Sequence, residues 1–241
     1  MPTFKTLILL GRPASGKSEF IDFIKQTPLK VRKEKFYIGD FIELDDFVWL
    51  WEKFVEDDLW EKAGKKRLFS KREEPAYLVT EGSVLDFCLA RFNHEIAKRK
   101  QAQETVFIEF SRGSADGGYR HALSLLTDEI LKDAAILFIY TSYEESVRRN
   151  EARYQEKLKN TVLAHKVPEE DMIRLGKEID WLSLTQQKPS GTVLVRELQV
   201  PFVTMTNEPE YKPAETEKLQ ARYGTALHQL MNLYATGRQN V

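Results

Sequence analysis

The chain has 241 residues, 42% hydrophobic and 30% charged, with a net charge of −1, one cysteine and four scattered histidines. Such a length holds one large domain with a sizeable core, and near-neutrality leaves no global field drawing the chain to nucleic acid or membrane. A lone Cys88 excludes an internal disulfide, no apolar run approaches membrane-spanning length, and the start lacks a signal-peptide pattern. The expectation is therefore a cytoplasmic protein without membrane or nucleic-acid partners.

Thr6 to Leu10 is apolar almost throughout and predicts a central parallel strand covered on both faces. It runs into Gly11-Arg12-Pro13-Ala14-Ser15-Gly16-Lys17-Ser18, which fits the phosphate-binding pattern G-x-x-x-x-G-K-[ST]. Glycines let backbone N–H groups approach a phosphate closely, and the helix that follows aims its positive end at the anion. Lys17 adds a mobile charge for the outer phosphates, and the Ser18 hydroxyl can take a place on Mg²⁺. Phe20, Ile21, Phe23 and Ile24 give that helix, Gly16 to about Lys25, an apolar face, and Thr27-Pro28 stops it.

Lys35 to Ile38 predicts a short second strand, with Asp40 at its carboxyl edge. A helix is expected from Phe41 to about Leu59, with Asp45 and Asp46 early in it. Trp49, Trp51, Trp60, Phe47, Phe54 and Val55 exceed what one helix face needs, so some of them line an acceptor pocket or pack an insert. Ala63 to Tyr77 reads as a loop and Ser83 to Lys100 as a helix. Thr105 to Phe110 is a third strand, and Ser111-Arg112-Gly113 leaves its end. After a flexible loop and a helix from Tyr119 to Lys132, Ala134 to Tyr140 forms a fourth strand. Ser142 to Glu145 is a capping box opening a helix with Arg148, Arg149 and Arg153. Pro168 to Leu184 predicts an amphipathic helix, Lys188 to Gly191 a turn, Leu198 to Met205 a fifth strand, and the stretch after Pro213 a last helix. Alternating strands and helices imply right-handed crossovers and a parallel sheet between helical layers, in one domain.

GRPASGKS, with Pro13 in register, Ile38-Gly39-Asp40, Ile108-Glu109-Phe110-Ser111-Arg112 and the Arg149…Arg153 helix together resemble the P-loop kinases of small molecules. Nucleoside monophosphate kinases of the adenylate kinase type are the particular likeness, although Ala14 stands where they have a glycine. The resemblance implies a three-layer α/β P-loop fold whose five-stranded parallel sheet has the order 2-3-1-4-5. It also implies ATP and Mg²⁺, an acceptor-side helical insert at about 41–100, and a closing lid at about 153–178. Arg149 would stack on adenine or clamp phosphate, Arg153 would hold the transferring group, and Arg112 would bind the acceptor side. Asp40 and Glu109 could hold Mg²⁺ through water, accept a proton from a substrate hydroxyl, or cap the next helix. The expected activity is γ-phosphoryl transfer from ATP to a small acceptor, nucleotide or nucleoside-like; a hydroxyl-directed metabolite kinase and a nucleotide-binding regulatory protein are the alternatives.

Overall fold

A computed structural model describes residues 2–74, 76–99, 104–158 and 166–237. The first strand, β1 (Thr6–Leu10), leads through the glycine-rich turn into α1 (Lys17–Gln26), then α2 (Leu29–Val31) and a π-helical turn, Arg32–Phe36. Next come β2 (Phe41–Asp45), α3 (Asp46–Lys62), a hairpin of β3 (Ser70–Glu73) and β4 (Ala76–Val79), and α4 (Gly82–Ala97). They are followed by β5 (Thr105–Phe110), a 3₁₀ turn at Ser114–Asp116, α5 (Gly118–Ser124), α6 (Asp128–Lys132), β6 (Ala134–Tyr140) and α7 (Tyr143–Leu158). The last described elements are α8 (Glu169–Met172), a π-helical turn at Ile173–Lys177, α9 (Trp181–Leu184), β7 (Ser190–Val195), β8 (Leu198–Thr206) and α10 (Thr216–Gly237).

The main sheet has six strands in the order β2-β5-β1-β6-β8-β7. All neighbours run parallel except β7, which pairs antiparallel with β8. The alternating side chains of the central strands divide between two cores. Ile8, Leu10, Ile108, Phe110, Ile136 and Phe138 face a layer containing α4, α5, α6 and Trp181. Leu7, Leu9, Phe107, Leu137 and Ile139 face α1 and α10. Both faces are covered, which is why these strands read as unbroken apolar runs. A third cluster, Leu50, Phe54, Val79, Val84 and Leu85, joins α3, the hairpin and α4 beside the main body.

Several expectations give way here. The sheet is six-stranded and mixed, not five-stranded and parallel, and so departs from the expected order. Its extra edge strand begins at Ser190, inside the stretch read as a turn, and returns through Arg196 at positive φ. The second strand is Phe41–Asp45, not Lys35–Ile38, whose first residues lie in a π-helical turn. Its outer position in the sheet leaves it half-buried and without a plain apolar run. The region 41–100 is thus no purely helical insert: it opens with a main-sheet strand and includes the β3–β4 hairpin. Within the lid-like segment, 159–165 lies outside the described residues. Its later part is anchored: Arg174 donates from Nε to Asp116 Oδ2 at 2.8 Å and from Nη1 to Val79 O at 2.9 Å. Pro168 to Leu184 is no continuous helix, because Glu178 turns extended after the π-helical turn, and α9 then carries Trp181 into the core, where it stacks on Phe138 at 4.5 Å. No helix among the described residues is long and apolar enough to cross a membrane.

Candidate active site

The turn from β1 to α1 is held from beneath and behind. Asn207 Nδ2 donates to Ser15 O at 2.9 Å, and Ser146 Oγ donates to Pro13 O at 2.7 Å. Arg12 turns its side chain away from the loop's mouth, donating from Nε to Gly176 O and from Nη1 to Thr141 O, each at 2.6 Å. Gly16 has φ 106°, and a Cβ there would lie 2.3 Å from Asn207 Nδ2, so conformation and space both demand glycine. Ala14 also sits in the left-handed region, at φ 57°. Inside the loop, Lys17 Nζ donates to Gly11 O at 3.2 Å, Arg12 O at 3.1 Å and Ser111 Oγ at 2.9 Å. A phosphate entering this loop would exchange some of those neutral acceptors for anionic oxygens, a stronger pairing.

Carboxylates gather on the other side of Lys17. Asp45 ends β2 directly beside Glu109 on β5, and Glu109 stands beside Leu9 on β1. Asp45 Oδ1 caps α3 by accepting from Phe47 N at 2.9 Å. Asp46 Oδ2 lies 3.6 Å from Nη1 of Arg112, whose side chain is 0% exposed. Burial is the main reason why the Asp46 and Glu109 carboxyls are each pushed up to about 7, and the mutual repulsion of the three acids adds to it. Burial likewise raises Asp45, against the pull of the Phe47 N–H and Lys17.

Ser18 Oγ donates to Glu109 Oε1 at 3.3 Å, and Glu109 Oε1 is 4.0 Å from Lys17 Nζ. Hard oxygen donors of this kind suit Mg²⁺ arriving with a nucleotide. Among the described residues no group of three or more His, Cys, Asp or Glu could hold a metal ion by itself.

A cavity of about 270 Å³ opens from this point, lined at one end by Lys17, Ser18, Glu109 and Arg153. Its other end is walled by Phe47, Trp51, Phe54 and Tyr77 from α3 and the hairpin. Phe54 and Tyr77 stack at 5.0 Å, and Trp51 meets Tyr77 edge-on at 5.8 Å. Asp57 holds the hairpin to α3, accepting from the backbone N–H groups of Leu68, Phe69 and Ser70 at 2.7, 2.9 and 2.7 Å.

No protein-family profile matches the chain, and no curated protein is similar to it. Among solved structures, an unliganded sugar kinase from Janibacter sp. HTCC2649 aligns at 15% identity and TM-score 0.46, covering 96% of this chain and 98% of that one. Shikimate kinase from Acinetobacter baumannii in complex with shikimate aligns at 16% identity and TM-score 0.40, with 91% and 90% covered. Kti12 from Chaetomium thermophilum in complex with ADP-AlF3 aligns at 14% identity and TM-score 0.42, with 92% and 98% covered. At such distances the local geometry has to carry the functional reading.

That geometry divides the expected site residues. Pro13, Ala14, Lys17, Ser18, Glu109 and Arg153 line the cavity, and Gly11, Arg12, Ser15 and Gly16 complete the loop that closes it. Asp40 does not belong. Its backbone carbonyl accepts from Thr105 N at the amino end of β2, roughly 16 Å of strand from the site. Its side chain is 68% exposed beside Arg32. Arg112 is enclosed behind Asp46, donating from Nη2 to Leu85 O at 2.6 Å, and does not line the cavity. Arg149, 1% exposed, braces the loop from below instead of reaching a ligand: Nη2 donates to Asn207 O and Nε to Glu145 Oε1, each at 2.7 Å. Asp45 and Asp46 stand in the sequence early in an expected helix, with less to mark them as functional than Asp40 has. Once β2 is set at Phe41–Asp45, the acids fall at a strand's carboxyl end, where ligands bind in open α/β sheets. Asn207 carries no local signal at all.

Proposed function

We propose that the protein is an ATP-dependent phosphotransferase acting on a hydroxyl group of a small molecule, with Asp46 as general base. The observation that carries this reading is that Asp46 lines the same cavity as Lys17 and Ser18 and is held from behind by a buried arginine. A hydroxyl acceptor must lose a proton as its oxygen attacks, and an oriented carboxylate accepts it. A base oriented by a third group is the arrangement such catalysis calls for.

In this mechanism the loop amides and Lys17 hold the β- and γ-phosphates, and Arg153 meets the transferring group from α7. Ser18 and Glu109 would hold Mg²⁺ together with the nucleotide, and the ion would supply charge neutralisation at the phosphate oxygens. Asp46 takes the hydroxyl proton while the new oxygen–phosphorus bond forms and the bond from Pγ to the departing ADP breaks. Arg112 acts through Asp46 and is a positioning residue. A phosphate acceptor would need free cations instead of carboxylates, and the enclosure of Arg112 argues against it.

The test is a panel of hydroxylated small molecules with Mg-ATP, scored for ADP and phosphorylated product, followed by Asp46→Asn. The expected loss in kcat is about 10²-fold or more, as general-base catalysis typically contributes, with ATP affinity nearly unchanged. An Asp46→Asn variant as active as the parent would refute the assignment.

A further inference from the structure

The two ends of the cavity differ in charge, and that difference selects the acceptor. Three cations line the cavity among the described residues: Lys17, Arg153 and Lys166. Lys17 belongs to the loop. Arg153 is drawn to Glu19 at 2.5 Å, next in sequence to Ser18, and so sits at the phosphate end. Lys166 is paired with Glu151 on α7 at 2.6 Å, in a stretch strapped to the same helix by Asn150, which donates to Val167 O at 2.8 Å. No cation on the lining comes from α3, the hairpin or α4. Four cations of that region are engaged away from the lining. Lys53 pairs with Glu56 and lies over the Phe69 and Phe87 rings, Arg91 lies over Trp49, and Arg67 and Arg72 pair with Asp58 and Glu61.

The acceptor end presents acids and rings. Asp45, Asp46 and Asp171 all line the cavity, and Asp171, 6% exposed, receives one long backbone bond, from Val79 N at 3.4 Å. Phe47 and Trp51 keep 38% and 37% of their surface exposed, unlike Phe54 beneath them at 4%. An anionic group placed here would face carboxylates and lose its own hydration, because the nearby cations, Arg112 and Arg174, are already engaged with Leu85 O and Asp46, and with Asp116 and Val79 O. A flat apolar body would cover ring surface and release water.

We infer that the acceptor is an alcohol with a flat, apolar body and no phosphate or carboxylate group, taken up between the α3–hairpin rings and the Asp45–Asp46 end of β2. The inference rests on the hydroxyl-kinase reading above and narrows it. Such a molecule donates its hydroxyl to Asp46, stacks its body on Trp51 and Phe47, and can offer a second donor to Asp171. At 270 Å³ the cavity suits a body of one or two rings more than a long chain.

The test compares matched pairs that differ by one anionic group: a nucleoside and its 5′-monophosphate, and an aryl alcohol and its carboxylated analogue. Phosphorylation with Mg-ATP and calorimetric binding in the presence of a non-hydrolysable ATP analogue are both measured. The expected result is that the uncharged member of each pair is used at least 100-fold better in kcat/KM. Trp51→Ala should raise the acceptor KM at least tenfold while the KM for ATP stays put. Equal or better use of the anionic members overturns the inference and leaves the kinase reading standing. Binding of the ATP analogue with no binding of either member overturns the inference by itself. Failure to bind the ATP analogue overturns both.

Discussion

The loop that would hold phosphate and the wall that would hold the acceptor face each other across one cavity, yet they are built differently. The loop is a continuous octapeptide locked by neighbours on every side, from Ser146 on α7 to Asn207 after β8 and Gly176 in a π-helical turn. The wall is a satellite: a small apolar cluster of its own, tied to the main body through α3, α4 and the buried Arg112. Half-exposed rings line it, and its carboxylates sit closer together than their charge favours. A rigid anion cradle and a more adaptable acceptor face suit a reaction in which one substrate is generic and the other particular.

This contrast can be broken most directly at Lys17. Lys17→Ala removes charge-assisted contacts worth about 1.5–3 kcal/mol each. Mg-ATP turnover should fall about 10²–10³-fold with the circular-dichroism spectrum unchanged; equal turnover would remove the phosphate cradle from the reading. Gly113 tests the link between β5 and the π-helical turn, because a Cβ there would lie 1.7 Å from Arg174 O. Gly113→Ala should destabilise by about 3 kcal/mol, the upper range of overpacking effects, measured by urea unfolding. An unchanged midpoint would show that this packing yields easily.

Asp171 sharpens the acceptor side. Burial raises its carboxyl to about 6 from the usual 3.8, against the Val79 N–H and Arg174. A raised carboxyl means that the folded state binds the proton more tightly. The stabilisation is therefore whole below about pH 4 and is lost as pH rises towards 6. Asp171→Asn keeps an acceptor for Val79 N–H and never ionises. Relative to the parent, it should gain roughly 2–3 kcal/mol of stability between pH 4 and pH 7.5, read from paired denaturation curves. A pH-independent difference would show that Asp171 is better solvated than its burial indicates. The smallest effect belongs to the loop: Ala14→Gly relieves a left-handed alanine and should stabilise by up to about 1 kcal/mol, with the loop's ATP affinity kept. A clear loss of stability would mean that the alanine methyl packs usefully.

Local signals were readable wherever the physics is local. GRPASGKS fits a pattern that needs backbone amides, glycine conformations and a lysine in fixed succession, so the loop could be read from residues 11–18 alone. The apolar runs of β1, β5 and β6 were equally plain, because strands covered on both faces admit little else. β2 was misplaced because a half-buried outer strand runs straight into α3 with no turn between them, so its residues read as the first turn of the helix, and moving it carried the expected carboxylate from Asp40 to Asp46. β8 was read as the fifth strand, but β7 was not, because an edge strand shows only a short alternation, here of buried Val193 and Val195 with exposed Thr192 and Leu194.

What the amino-acid order determined by itself is the α/β alternation, the phosphate loop and the presence of arginines four apart on α7. Only the tertiary structure decided which of the chain's arginines face the cavity. A guanidinium on a helix face can reach a ligand or a neighbouring carbonyl with equal ease as far as its spacing shows. Arg149 and Arg112 are spent on buried backbone oxygens, which would otherwise be left without partners, whereas Arg153 lines the cavity. Burial and pairing depend on residues far apart in the chain, Arg112 with Leu85 and Arg149 with Asn207, and no local pattern encodes them.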